Sequence, residues 1–264
     1  MEHRPCDFLR QASYAAGLAR PGLVILNQPI GDLGVFERLW RNSSYVLCAD
    51  GGANRLHDVF GQGHADRREQ FLPNNIHGDL DSLRDDVRQY YASRNVEVTR
   101  NPDQMSTDLG KALDKIRSAA PGPSRENTIL LGTLGGRVDQ ALGILHELLR
   151  ERRNHPAARL WLFSETNISF LLFKGENVIH TRFSEGFCTE NVGLIPIFCP
   201  ARITTSGLEW DVADWETSMG YRISTSNHIV DDTVTVHTDE VVLFTMERSP
   251  SLPEQEKIPI ATST

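Results

Sequence analysis

Short apolar runs alternate with amphipathic segments over the first two-thirds of the chain. Five runs rich in Val, Ile, Leu and aromatic residues have the length of buried strands: 23–26, 45–49, 96–99, 128–131 and 160–163. Between them, apolar side chains recur every three or four positions, most clearly over 107–117 and from Arg137 onward. This alternation predicts a mostly parallel sheet covered by helices.

The pattern changes after Asn167. Strand-like runs follow one another without a convincing helix between them, at 168–173, 178–183, 192–197, 203–205, 221–224, 234–237 and 241–246. Such a series predicts a small antiparallel β domain, a sandwich or a barrel. The fold class is therefore α/β, with an N-terminal, mostly parallel sheet and flanking helices, followed by the antiparallel β domain.

These patterns define four segments. We expect a flexible N-terminus over 1–21, an α/β catalytic domain over 22–166, a β domain over 167–247 and a disordered tail over 248–264. The tail is rich in Ser, Pro, Thr and charged residues, a composition that buries too little apolar surface to fold. Trp210 and Trp215, within the β domain, could stack on an aromatic ligand, but we expect Trp210 to belong to the core.

Composition narrows the class of protein. The formal net charge of -8 argues against a nucleic-acid-binding surface, which normally carries a clustered basic excess. No apolar run approaches the roughly 18 residues of a membrane span, so we expect no membrane partner. The four cysteines are far apart and form no C-x-x-C pair. A reducing compartment, the cytoplasm, is therefore expected.

Acidic residues mark four successive junctions between a strand and the next helix. The segments are Asp50-Gly51-Gly52-Ala53-Asn54, His77-Gly78-Asp79-Leu80-Asp81-Ser82, Asp103 to Lys111, and Gly132 to Gln140. Ligands of parallel sheets bind beyond the carboxyl ends of the strands. Carboxylates there suit Mg²⁺, which prefers oxygen ligands together with substrate phosphates.

Each junction alone also fits an ordinary structural role. Asp50 or Asp81 could cap a helix, and Asp108 with Lys111 could form a surface ion pair. Neither a G-x-G-x-x-G fingerprint nor a G-x-x-x-x-G-K-[ST] phosphate loop is present. Chance capping would scatter such residues, however, whereas a shared phosphate–metal site collects them at one edge of the sheet.

Taken in order, these segments resemble the motifs of thiamine pyrophosphokinases. The resemblance rests on Asp50-Gly51-Gly52-Ala53-Asn54, Gly78-Asp79-Leu80-Asp81-Ser82, Asp103-Gln104 with Thr107-Asp108 and Lys111, Gly136-Arg137-Val138-Asp139-Gln140, Thr204 to Trp210 and Ser224-Thr225-Ser226-Asn227. It covers roughly residues 23–246. The ordered set of motifs is much more specific than any one of them.

The resemblance implies an enzyme that transfers pyrophosphate from ATP to the hydroxyl of thiamine, giving thiamine diphosphate and AMP. It implies Mg²⁺ as cofactor and a homodimer whose active site lies at the subunit interface. The implied catalytic residues are Asp79, Asp81, Asp108 and Arg137, and the three aspartates among them are the implied metal ligands. The implied nucleotide-binding residues are Asp50, Gly51, Gly52, Asn54, Thr107, Lys111, Gly136 and Asp139. The implied thiamine-binding residues are Gln104, Ser224 and Asn227, the last two contributed by the partner subunit.

Two other classes of protein fit the acidic strand ends. A metal-dependent phosphohydrolase or phosphodiesterase would use the same carboxylates for attack by water. A nucleotide sensor that kept the fold would bind ATP without cleaving it. Release of AMP only in the presence of thiamine distinguishes the transferase from both.

Overall fold

The computed structural model describes residues 1–11, 20–61, 65–120 and 122–254. The chain divides into two compact units, Ala19–Asn167 and Met1–Leu18 with Ile168–Thr264. Both contain fully buried apolar side chains, among them Leu23 and Ile76 in the first unit and Phe187 and Phe244 in the second. Within the described residues, no helix combines the length and apolar character that crossing a bilayer requires.

The first unit, here called the α/β unit, is a parallel sheet flanked by helices. A short strand of the other unit, β1 (Glu2–His3), precedes it in the chain. Its own strands are β2 (Gly22–Ile25), β3 (Tyr45–Ala49), β4 (Asn75–Gly78), β5 (Glu97–Arg100), β6 (Asn127–Leu131) and β7 (Arg159–Phe163). Its helices are α1 (Leu33–Arg41), α2 (Gly52–Val59), α3 (Asp85–Ala92), α4 (Asp108–Ala119) and α5 (Val138–Asn154). The strand order is β7-β6-β2-β3-β4-β5, and all pairs with a recorded register are parallel.

The predicted parallel sheet is confirmed, with two additions. The five predicted strands coincide with β2, β3, β5, β6 and β7 to within one residue at either end. The sequence analysis did not identify β4, whose four residues Asn-Ile-His-Gly include only one strongly apolar side chain. It also did not identify α1, which begins where the Asp32 carboxylate accepts a hydrogen bond from the Val35 N–H at 3.0 Å.

Glycines allow the ends of neighbouring strands to approach closely. A Cβ on Gly52 would overlap with the backbone carbonyl oxygen of Ile25. A Cβ on Gly78 would lie 2.8 Å from the Cβ of Asp50. Both glycines are therefore required by packing at the carboxyl edge of the sheet, independently of any ligand.

Helix α5 is present where the periodicity predicted it, but its buried face is different. Leu148 is buried as expected, whereas Leu142 and Val138 are exposed. The other buried residues of the helix are Glu147 and Glu151. Ion pairs with Arg150 and Arg117 compensate these two carboxylates, because buried charge is tolerated only when it is paired.

The second unit, here called the β unit, contains two mainly antiparallel sheets. Its further strands are β8 (Asn167–Leu172), β9 (Gly175–His180), β10 (Cys188–Ile195), β11 (Ala201–Ser206), β12 (Trp215–Thr217), β13 (Ser224–His228), β14 (Thr233–Thr238) and β15 (Val242–Arg248). One sheet has the order β1-β9-β14-β11-β12, and the other contains β13-β10-β15-β8. The predicted strand at 221–224 is displaced, since β13 begins only at Ser224.

The described part of the N-terminus corrects the prediction of a flexible segment over 1–21. Strand β1 pairs with β9 in parallel, and the 3-10 helix Pro5–Leu9 is buried along its length. The Asp7 carboxylate accepts a hydrogen bond from Arg182 Nε at 2.7 Å. Residues 12–19 of the predicted flexible segment, and 255–264 of the predicted tail, lie outside the described residues.

Asn177 links the N-terminal strand to the turn between β8 and β9. It is fully buried. Its Nδ2 donates to the carbonyl oxygens of Phe173, Gly175 and Val236, and its Oδ1 accepts from the Phe173 N–H at 3.0 Å. His3 Nε2 lies 3.0 Å from the same Oδ1. One amide side chain thus satisfies several buried polar groups at once.

We predict that Asn177→Ala lowers the free energy of unfolding by about 2–4 kcal/mol, because several buried polar groups lose their partner. Urea denaturation measures the change. Asn191→Ala is the matched control, since Asn191 is exposed on β10 and its side-chain amide donates to Glu247, and its loss costs under about 1 kcal/mol. Equal effects of the two substitutions would contradict this account.

Candidate active site

Three carboxylates meet at the carboxyl edge of the parallel sheet. Asp50 follows β3, Asp79 follows β4, and Asp108 is the first residue of α4. One carboxylate oxygen of each lies within 4.8 Å of the others. The residues come from three separate junctions of the chain, so the arrangement depends on the fold rather than on local sequence.

Asp50 is held in an uncommon conformation at the centre of this cluster. Its φ angle is +42°, in the left-handed region that non-glycine residues rarely adopt. Its Oδ2 accepts a hydrogen bond from the Ser82 N–H at 3.1 Å. Its Oδ1 is buried and has no hydrogen-bond partner among the residues that the structure describes. Burial, together with the nearby charges of Asp108 and Asp79, raises the pKa of Asp50.

Lys111, one turn into α4, compensates part of this negative charge. Its side chain is 2% exposed, and its Nζ donates to Asp79 Oδ2 at 2.9 Å and lies 3.6 Å from Asp108 Oδ1. The hydrogen bond from Lys111 lowers the pKa of Asp79. Burial and the charge of Asp79 raise the pKa of Asp108. Three carboxylates and one ammonium leave an excess of negative charge that favours a bound cation.

The residues present fit a magnesium ion. The donors are carboxylate oxygens, and Asp50 contributes a buried oxygen without a protein partner in the described chain. The residues of this cluster differ from the predicted metal ligands, which were Asp79, Asp81 and Asp108. Asp50 joins the cluster in place of Asp81, which is exposed and whose N–H donates to Asp79 Oδ1 at 3.2 Å. Leu80 between the two aspartates has a φ of +67°, so the backbone turns there.

A cleft of about 530 Å³ opens beside the cluster, within the α/β unit. Asp108 lines it, together with the glycine-rich loop between β6 and α5, including Gly132, Gly136 and Arg137. Gly132 and Gly136 have φ angles of +86° and +69°, which only glycine adopts without strain. Arg55 and Arg137 give the cleft cationic groups at some distance from the carboxylates. A cleft of this kind suits a polyphosphate that also contacts a cation.

Several predicted nucleotide-binding residues already have structural roles. The Asn54 amide donates to the Ser82 carbonyl at 2.7 Å and accepts from the Arg84 N–H at 3.1 Å, fixing the loop after β4. Gly51 faces Asn27, where a Cβ would overlap its amide group. Asp139 pairs with Arg137 on the surface, their side chains being 62% and 74% exposed. Their contacts with a nucleotide stay predictions.

Thr107 and Glu147 form a contact that the sequence analysis missed. The Thr107 hydroxyl caps α4 by accepting the Gly110 N–H at 3.0 Å, and it donates to Glu147 Oε1 at 2.7 Å. Glu147 also lines the cleft. The contact was missed because helical periodicity counts only apolar residues, whereas the buried residues of α5 include Glu147 and Glu151.

The predicted thiamine-binding residues fall in both units. Gln104 is exposed in the loop before α4. Ser224 and Asn227 line a second pocket, in the β unit, with Trp210, Trp215 and other mainly apolar residues. The Asn227 amide bonds to both the N–H and the carbonyl of Trp210. The expectation that Trp210 is core is wrong: it is 54% exposed, and its ring lies beside that of His228 with a centroid separation of 4.9 Å.

Comparison with known protein families agrees with this architecture. A family model described as the catalytic domain of thiamin pyrophosphokinase matches residues 36–160. A second model, described as the vitamin B1 binding domain of thiamin pyrophosphokinase, matches residues 176–243. The first match covers the acidic cluster and most of the cleft, and the second covers the pocket in the β unit.

Individual relatives lead to the same family. The chain is 36% identical over 268 residues to thiamine pyrophosphokinase 2 of Arabidopsis thaliana, covering 97% of this chain and 94% of the relative. It is 30% identical to thiamine pyrophosphokinase of Saccharomyces cerevisiae, covering 80% and 79%. Its fold matches thiamin pyrophosphokinase from Candida albicans with a TM-score of 0.81 at 25% identity, covering 94% and 92%. The chain therefore belongs to the thiamin pyrophosphokinase family, and the resemblance noted in its motifs is confirmed.

We predict that Lys111→Met lowers the free energy of unfolding by about 2 kcal/mol without divalent cations, because the Asp79 carboxylate, 16% exposed, loses the hydrogen bond from the buried ammonium. Adding Mg²⁺ should restore part of the loss, since a ligand of the folded state stabilises it. Denaturation with and without Mg²⁺ measures both effects. Lys115→Met, which removes an exposed pair with Glu97, should cost under about 1 kcal/mol. A Lys111 variant as stable as the Lys115 variant would refute the role of Lys111.

Proposed function

We propose that the protein is a magnesium-dependent thiamine pyrophosphokinase. It transfers pyrophosphate from ATP to the hydroxyl of thiamine and releases AMP. The observation that carries the proposal is the convergence of Asp50, Asp79 and Asp108 beside a cleft with cationic groups, in a chain of this family. Anionic triphosphate needs a cation to approach three carboxylates, and the uncompensated oxygen of Asp50 supplies a place for one.

The chain's residues act on the reaction by position and charge. Transfer between phosphates demands alignment of the attacking and leaving oxygens more than covalent help from the protein. Arg137 and Arg55 offer guanidinium groups to phosphate oxygens along the cleft. Asp79 or Asp108 accepts the proton of the thiamine hydroxyl. Lys111 holds both carboxylates in place while this occurs.

The carboxylate cluster is the proposed site of Mg²⁺, with Asp79 and Asp108 as ligands and Asp50 beside them. Bound there, Mg²⁺ supplies positive charge to the phosphate oxygens on which negative charge develops. Asp81, placed among the ligands by the resemblance, lies outside the cluster, so we assign it to the loop that positions Asp79. The backbone N–H of Asp81 already donates to the Asp79 carboxylate.

Thiamine is the proposed acceptor, and three residues are proposed to bind it. Gln104 belongs to the loop before α4, and Ser224 and Asn227 belong to the pocket of the β unit. That pocket combines two tryptophans with a few polar groups, which suits a heteroaromatic ligand. The vitamin B1 binding model matched over residues 176–243 supports this assignment.

We also propose that the enzyme is a homodimer whose partner subunit contributes Ser224 and Asn227. Val138 and Leu142 lie one turn apart on α5 and are 74% and 60% exposed. Apolar side chains so exposed on one helix face are typical of an interaction surface. A second copy of the chain would cover them. We place the enzyme in the cytoplasm, where the buried thiols of Cys6, Cys48 and Cys188 stay reduced.

The proposal predicts that purified protein forms AMP from Mg·ATP only when thiamine is present, in amounts equal to thiamine diphosphate. Chromatography of the nucleotides and of thiamine derivatives measures both products. Nucleotide cleavage that ignores thiamine would identify a phosphohydrolase instead. Nucleotide binding without cleavage would identify a sensor.

Asp79→Asn should reduce kcat at least about a hundredfold while the protein stays folded, because the cluster loses the charge that binds the cation. The matched control is Asp86→Asn, which removes an exposed carboxylate of α3 that pairs only with Arg84. Its activity should stay near that of the wild type. Near-normal turnover by the Asp79 variant would remove this residue from the mechanism.

Mixing two inactive variants tests the shared active site. Asp79→Asn and Asn227→Ala homodimers each lack one part of every site, whereas a mixed dimer restores one complete site. Random exchange of subunits should therefore recover about a quarter of wild-type activity, since about half of the dimers are mixed. No recovery after demonstrated exchange would place all site residues of one centre in a single protomer.

A further inference from the structure

We infer that Glu147 of α5 is a positioning residue for the cation site, acting through Thr107 on Asp108. This inference rests on the proposed magnesium site. Glu147 is neither a member of the carboxylate cluster nor part of the sequence motifs that led to the family. Its side chain is only 4% exposed, so its contacts are made within the protein.

The contacts form a chain from one helix to the other. Arg150 Nε donates to Glu147 Oε2 at 2.6 Å, and the Thr107 hydroxyl donates to Glu147 Oε1 at 2.7 Å. The same hydroxyl accepts the Gly110 N–H at 3.0 Å. Both carboxylate oxygens of Glu147 are therefore in use, one for its own helix and one for α4.

The Thr107 hydroxyl has a single proton, and its hydrogen bond to Glu147 fixes the direction of the O–H bond. An ionised carboxylate can only accept, so it takes the hydroxyl proton and leaves an oxygen lone pair for the Gly110 N–H. Thr107 is the N-cap of α4, and Asp108 is its first residue. A fixed cap fixes the entry of the chain into the helix, and with it the Asp108 carboxylate.

The residues around the contact between Thr107 and Glu147 accommodate it. Gly110 leaves room for Arg150, since a Cβ there would lie 2.6 Å from Arg150 Nη2. On the other side of Asp108, the Lys111 ammonium lies 3.6 Å from its Oδ1. Asp108 is thus constrained by the cap before it and by the lysine after it. Groups that orient metal ligands from outside typically change metal affinity or activity by tenfold or more when removed.

A carboxylate on the same helix provides the control. Glu151 lies one turn further along α5, is also 4% exposed and also pairs with an arginine, Arg117 of α4. It does not contact Thr107. Glu151→Gln therefore reports the general cost of disturbing the packing of α4 against α5, without disturbing the cap.

The experiment measures Mn²⁺ binding to nucleotide-free protein by electron paramagnetic resonance, together with the Mg²⁺ dependence of AMP formation. Glu147→Gln and Thr107→Val should each weaken Mn²⁺ binding about tenfold or more and raise the Mg²⁺ requirement in parallel. Thr107→Ser, which keeps the hydroxyl, should stay within about twofold of wild type in both measurements. Glu151→Gln should keep the Mg²⁺ requirement of AMP formation within the same range. The double variant Glu147→Gln/Thr107→Val should bind Mn²⁺ no less tightly than the single variant with the lower affinity, because both substitutions break the same contact.

The outcomes separate this inference from the proposed function. Wild-type protein that binds Mn²⁺ but forms no AMP would contradict the proposed function. The Mn²⁺ affinities of the variants would then still support or overturn the role of Glu147. Wild-type affinity in folded Glu147→Gln would overturn the inference. If Glu147→Gln fails to fold, a normal Mn²⁺ affinity in Thr107→Val overturns the inference equally. If all variants fold, additive losses of Mn²⁺ affinity in the double variant also overturn it. Failure of wild-type protein to bind Mn²⁺ would also overturn it.

Discussion

The arrangement of the α/β unit depends on offsetting the repulsion among three carboxylates, which lie within 4.8 Å of one another at the edge of its sheet. Like charges so close repel one another, most strongly at the buried Asp50. The buried ammonium of Lys111 offsets part of this charge. Burial, with a smaller contribution from the neighbouring carboxylates, raises the pKa of Asp50 and of Asp108. This residual negative charge is the physical basis of the cation site proposed here.

The rest of the unit holds this arrangement together. Gly52 and Gly78 let the strand ends approach closely enough for Asp50 and Asp79 to meet. Helix α4 brings Asp108 and Lys111 to them on successive turns, and α5 fixes the start of α4 through Glu147. The three carboxylates come from different parts of the chain, so the site forms only when the strands and α4 are folded together. The cleft opens beside this arrangement and is the proposed site of the nucleotide.

Much of this could be predicted from sequence, for reasons that differ between residues. The parallel strands were visible because buried strands are short and uniformly apolar, and the acidic junctions because ligands collect at strand ends. Spacing could not place Asp81 outside the cluster, because that depends on the turn at Leu80. Glu147 was missed because the buried face of α5, which includes Glu147 and Glu151, differs from the apolar face that periodicity marks. The order of the N-terminus depends on Asn177, 174 residues from His3, and no local pattern carries that information.

The most direct test of the central claim is to follow the γ-phosphorus of ATP in a single turnover with thiamine. ATP radioactive at that position should give labelled thiamine diphosphate and unlabelled AMP in equal amounts, without ADP, because an intact pyrophosphoryl group moves to the acceptor. Asp108→Asn should leave the label in ATP. Label appearing in thiamine monophosphate together with ADP, or in inorganic phosphate irrespective of thiamine, would contradict the account.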